Sequence, residues 1–115
     1  MLRHRPTFDT DNFVHAVLTD ASNLAATLFK NYVGQAEADA RAFLQASKDS
    51  IVRAASLYQQ GQIDKDELED LIHDQKALAE MHALKNTGLA SAAIDTFANG
   101  VIQIMINAAF AALKV

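Results

Sequence analysis

The sequence predicts an all-α protein of long antiparallel helices that assemble as a homo-oligomeric bundle. Three observations predict it. Alanine is the commonest residue, and the 115-residue chain holds one proline and four glycines, a composition that favours helix over long stretches. Apolar residues recur at alternating three- and four-residue steps, as on one face of a helix. The last segment is apolar around almost its whole circumference, which requires cover from neighbouring helices.

The chain length corresponds to one domain, with residues 1–9 as a tail and residues 10–115 as a single helical domain. The first helix is expected over about residues 11–60. Its first apolar seam comprises Val14, Leu18, Ala21, Ala25, Leu28 and Tyr32, and its second continues from Ala36 through Ala40 and Phe43 to Tyr58. Two interpretations of Gly34 compete: one continuous helix that absorbs the glycine, or a tight turn near residues 31–35. The continuous spacing favours the single helix.

A second helix is expected over residues 64–86. Gly61 can take the left-handed conformation that ends the preceding helix. Asp64 is then the N-cap, with Glu67 three residues later completing a capping box. The run Asn86-Thr87-Gly88 predicts the end of this helix, and the third helix follows over residues 89–114.

Composition and motifs predict no enzyme, cofactor or metal site. Gly61-x-Ile63-x-x-x-Glu67 resembles the second half of a calcium-binding EF-hand loop. The positions of the early ligands hold Ser56, Tyr58 and Gln60, so a capped helix start is the preferred interpretation. Asp70-x-x-His73 occurs once, whereas di-iron bundles need two such pairs. We also find no catalytic triad arrangement and no nucleophile elbow.

The net charge and the absence of cysteine limit the partners and the covalent bonds that we expect for this chain. The formal net charge is −4, and Arg3, His4 and Arg5 form the only basic cluster, so we expect no nucleic-acid binding. The chain has no cysteine, which excludes disulfides. No apolar run follows Arg5, so we expect no signal peptide and a cytoplasmic location, with membrane association as the alternative.

The C-terminal helix is the predicted oligomer interface. A single chain with two or three other helices is expected to leave one flank of it bare, and several hundred Å2 of bare apolar surface favours association. A second copy of the chain is the preferred cover; membrane lipid or another helical protein is the alternative. The predicted interface residues are Phe97, Val101, Ile102, Ile104, Met105, Ile106, Phe110 and Leu113.

A polar ridge runs along the same helix at four-residue steps: Asp95, Asn99, Gln103 and Asn107. Each step advances about 40° around a helix, so the ridge winds and is not expected to face water along one straight side. Two interpretations stay open. Some members enter a helix contact and fix its register, or alternate members meet solvent at gaps between helices.

Overall fold

The computed structural model describes residues 8–75 and 81–113, and within these ranges the regular structure is entirely helical. The predicted all-α class is therefore confirmed. The helices are α1 (Thr10–Leu28), α2 (Val33–Gln59), α3 (Lys65–His73), α4 (His82–Lys85) and α5 (Ser91–Ala112).

The preferred single helix over residues 11–60 is wrong, because α1 ends at Leu28 and α2 begins at Val33. The break precedes Gly34, which lies inside α2. Phe29 leaves the helical conformation with φ −134° and ψ 79°, and its ring is buried against Phe97 of α5 in an edge-to-face contact at 5.6 Å. The chain therefore turns where burial of an aromatic ring outweighs local helix propensity.

The start of α3 follows the sequence prediction closely. Gly61 has φ 77°, the left-handed conformation expected after a helix. Asp64 Oδ1 accepts from the Glu67 backbone N–H at 2.8 Å, and Glu67 Oε1 accepts from the Asp64 N–H at 2.9 Å. The predicted capping box is therefore confirmed. Gly88, with φ 83°, follows α4 at the predicted stop.

The predicted helix over residues 64–86 is only partly described. Helix α3 ends at His73, residues 76–80 lie outside the described residues, and α4 is a separate four-residue helix. Tail residues 1–7 and residues 114–115, which include the last residue of the third predicted helix, also lie outside them.

A buried carboxylate ties α4 to α2. Asp39 is 3% exposed, and its two oxygens accept from the backbone N–H groups of Ala83 at 2.9 Å and Leu84 at 2.8 Å. The N-cap residue of α4, Met81, makes no side-chain capping bond. Asp39 therefore caps this short helix from another part of the chain.

The helices surround a shared core in which α5 packs against each of the other four helices. Helix α1 packs on α5 and α2, α2 packs on α3 and α4, and both α3 and α4 pack on α5. The largest fully buried side chains come from every one of these helices or their flanks: Phe13, Val17, Phe43, Ile51, Leu68, Ile72, Met81, Leu84, Phe97, Val101 and Met105.

Candidate functional site: the outer surfaces of the bundle

The predicted interface residues of α5 lie largely in the core of their own chain. Six of the eight are buried: Phe97, Val101, Ile102, Met105, Ile106 and Leu113. Ile104 and Phe110 are partly buried, and the Phe110 ring also contacts the Tyr58 ring at 6.0 Å. The premise that one chain cannot cover this helix is wrong, because among the described residues α1, α2, α3 and α4 all pack against it.

The polar ridge faces outward from the chain. Asp95, Asn99, Gln103 and Asn107 are all exposed, and Gln103 Nε2 donates to Asn107 Oδ1 at 3.2 Å. Within one chain, all four residues of the ridge therefore face water, contrary to the expectation from the sequence. The four residues span an arc of only about 120° on a helix, which fits the side of α5 that its neighbours leave open. Contact of this ridge with a second chain stays a prediction.

A concave surface lies between α1 and α2, and we call it the α1/α2 groove. Its larger end has a volume of about 350 Å3 and its smaller end about 100 Å3, and both ends share Leu18 and Arg41. Its lining residues are Val14, Leu18, Thr19, Ala21, Ser22, Asn23, Glu37, Ala40, Arg41, Leu44, Gln45 and Lys48. The groove thus extends over several turns of both helices.

The two ends of the groove differ in chemistry. At the larger end Ser22 Oγ donates to Glu37 Oε2, so a neutral hydrogen-bond donor from α1 pairs with an acid from α2. At the smaller end the floor is apolar, with Leu44 buried and Val14 partly buried. Arg41 and Lys48 flank this floor, and none of the described residues that line it is acidic. An apolar floor between two cations suits an acidic partner surface with an apolar centre.

Two large apolar side chains are notably exposed among the described residues: Leu28 at 38% and Leu71 at 39%. Leu71 lies on α3, whose buried face is formed by Leu68 and Ile72. Leu71 points away from that face because it lies about 100° around the helix from Ile72.

The sequence prediction missed the groove. Its residues come from two segments that were treated as one helix, so no surface between them was expected. One signal was present: Arg41 and Lys48 stand seven residues apart on either side of Leu44, which places all three on neighbouring turns of one helix face.

Two further features bear on function. Among the described residues, one helix, Ser91–Ala112, is long and apolar enough to cross a membrane by length and composition, and half of its most apolar window is buried inside the chain. Within residues 8–75 and 81–113, no group of three or more His, Cys, Asp or Glu side chains is placed to hold a metal ion. The expectations of no metal, no cofactor and no catalytic site stay predictions.

Comparison with known proteins assigns no family to this chain. No protein-family model matches the chain, and neither the curated proteins nor the solved structures give a significant match.

Proposed function

We propose that this protein is a non-enzymatic helical scaffold that self-associates through the outer surface of its folded bundle. The observation that carries the proposal is the α1/α2 groove, a concave surface with an apolar floor on the outside of the chain. Partly buried Val14 and Leu18 gain further burial when another surface covers them, and burial of apolar area stabilises association.

The internal arrangement that we propose is antiparallel. The N–H of Asp9, before α1, donates to the Ala112 carbonyl at the end of α5. Phe29, after α1, contacts Phe97 near the start of α5. These contacts support opposite directions for α1 and α5, and the four-residue connection from α1 to α2 supports the same relation there. The outer groove is then formed by two long neighbours of opposite direction.

The first test of this function is the mass of the native particle. Size-exclusion chromatography with light scattering, in detergent-free buffer, should give masses that rise above the 12.5 kDa of one chain as concentration increases. A measured mass equal to that of one chain at every concentration would contradict the proposed function.

Membrane insertion through α5 is the second candidate, favoured by the length and hydropathy of Ser91–Ala112. Insertion would have to withdraw side chains such as Phe97 and Met105 from the core, and place Asn99 and Gln103 in hydrocarbon. Co-sedimentation with phosphatidylcholine–phosphatidylglycerol vesicles separates the two candidates. The scaffold proposal expects the protein in the supernatant with unchanged helix content, and recovery in the vesicle pellet would favour insertion.

A further inference from the structure

The smaller end of the α1/α2 groove presents a specific charge pattern along α2. Arg41 and Lys48 stand seven residues apart, which is about 10.5 Å along a helix. Leu44 lies between them, three residues after Arg41 and four before Lys48, and forms part of the buried floor. A matching partner would place an apolar side chain between two acids at the same spacing.

Helix α3 and its C-cap carry that pattern in reverse order. Glu67 and Asp74 are also seven residues apart, and both are exposed. Leu71, one of the two most exposed large apolar residues among those described, lies four residues after Glu67 and three before Asp74. Asp74 keeps a helical conformation, with φ −72° and ψ −3°, so the helical spacing holds to the end of the segment.

We infer that α3 of a second copy docks antiparallel to α2 in the smaller end of the groove. The inference rests on the proposed self-association and names its interface. The register pairs three residues from each copy: Arg41 with Asp74, Leu44 with Leu71, and Lys48 with Glu67.

The occupant is a second copy because α3 is unable to reach this groove in its own chain. Leu68 and Ile72 hold it in the core against α2 and α5, and Leu71 faces outward from that contact. The charge around Leu71 is strongly acidic, since Asp66, Glu67, Glu69, Asp70 and Asp74 outnumber Lys65 and His73. Like charge keeps two α3 helices apart, whereas Arg41 and Lys48 attract one.

The two surfaces in this contact are different, which constrains the assembly. If the two copies are related by a two-fold axis, the contact occurs twice and the dimer is closed. If they are related by any other rotation, the contact repeats from copy to copy and gives a ring or an open chain. In either case each copy uses one groove and one α3, so a variant in either surface weakens every contact.

Sedimentation equilibrium on charge-swap variants tests the register. Arg41→Asp and Asp74→Arg should each weaken association by about tenfold or more, because each places like charges together. The double variant Arg41→Asp with Asp74→Arg should recover most of the affinity, since it restores an opposite pair. Both residues are exposed, so circular dichroism should show an unchanged fold.

Leu71→Gln supplies an independent test of the apolar contact, with Leu28→Gln as its matched control. The two leucines are almost equally exposed, at 39% and 38%, but only Leu71 belongs to the proposed contact. Leu71→Gln should weaken association by about tenfold, and Leu28→Gln should leave it unchanged.

The outcomes separate this inference from the function on which it rests. A wild-type protein that stays one chain in mass overturns both. A wild-type oligomer that is insensitive to Arg41→Asp, Asp74→Arg and Leu71→Gln overturns the α3 register and keeps self-association. Loss of association without recovery in the double variant also overturns the register.

Discussion

At the scale of single residues, Asp39 has a role that its position in the sequence does not reveal. A charged residue is rarely buried unless it is paired or hydrogen-bonded, and Asp39 receives two backbone N–H groups from residues 44 and 45 positions away. Its carboxylate satisfies donors at the start of α4 that have no side-chain cap of their own. Asp39 thereby attaches the segment that precedes α5 to the N-terminal half of α2.

Replacing Asp39 with alanine should lower the free energy of unfolding by about 2–4 kcal/mol, because two charge-assisted hydrogen bonds are lost and their donors, one buried and one partly buried, are left unpaired. Urea unfolding followed by circular dichroism measures the change. Asp49→Ala, at an exposed position of the same helix, is the control and should change stability by less than about 0.5 kcal/mol. Equal effects in the two variants would contradict the capping role of Asp39.

Two glycines with different backbone conformations give a matched pair. Gly61 has φ 77°, so alanine there should destabilise by about 1–2 kcal/mol. Gly34 lies in the first turn of α2, with nothing within 4 Å of an added Cβ, so alanine there should stabilise by about 0.5 kcal/mol. Thermal melting of both variants should show shifts of opposite sign. A loss of stability at Gly34 would contradict its assignment to α2.

At the scale of helices, the break between α1 and α2 determines how α5 is covered. The break places two helices where one was expected, and α1 then packs along α5. Phe29 lies at the turn and contacts Phe97, which is fully buried. The turn and the start of α5 are therefore held by one aromatic pair.

Phe97→Ala should lower the free energy of unfolding by about 3–5 kcal/mol, because it removes a buried ring at the contact that holds this turn. Chemical unfolding of Thr96→Ala provides the comparison, since Thr96 is the exposed neighbour on the same helix and its loss should cost less than about 0.5 kcal/mol. If Phe97→Ala also cost less than about 1 kcal/mol, the packing of α5 described above would be wrong.

Local signals predicted those elements that local chemistry determines. Gly61, Asp64 and Glu67 lie within seven residues, and their left-handed conformation and capping box follow from the residues themselves. The turn after Phe29 contains no glycine or proline, so it depends on a contact 68 positions along the chain and could not be read locally. The α1/α2 groove was missed for the same reason, because it exists only where the chain turns.

At the scale of the whole molecule, the surface that we propose for association differs from the one that the sequence predicts. The apolar face of α5 contributes to the core of one chain, so a folded monomer is expected to be stable before it associates. The surfaces that we propose or predict to meet a second copy are the α1/α2 groove, the acidic face of α3 and the exposed polar ridge of α5. Association of this kind joins folded chains and is governed by concentration.

A concentration series in the analytical ultracentrifuge, from about 1 μM to about 1 mM, with circular dichroism on the same samples, tests this account most directly. The account predicts a helical 12.5 kDa particle at the lowest concentration and larger species at the highest, with constant helix content throughout. A 12.5 kDa particle at every concentration would contradict self-association. Loss of helix on dilution would contradict the claim that one chain covers its own α5.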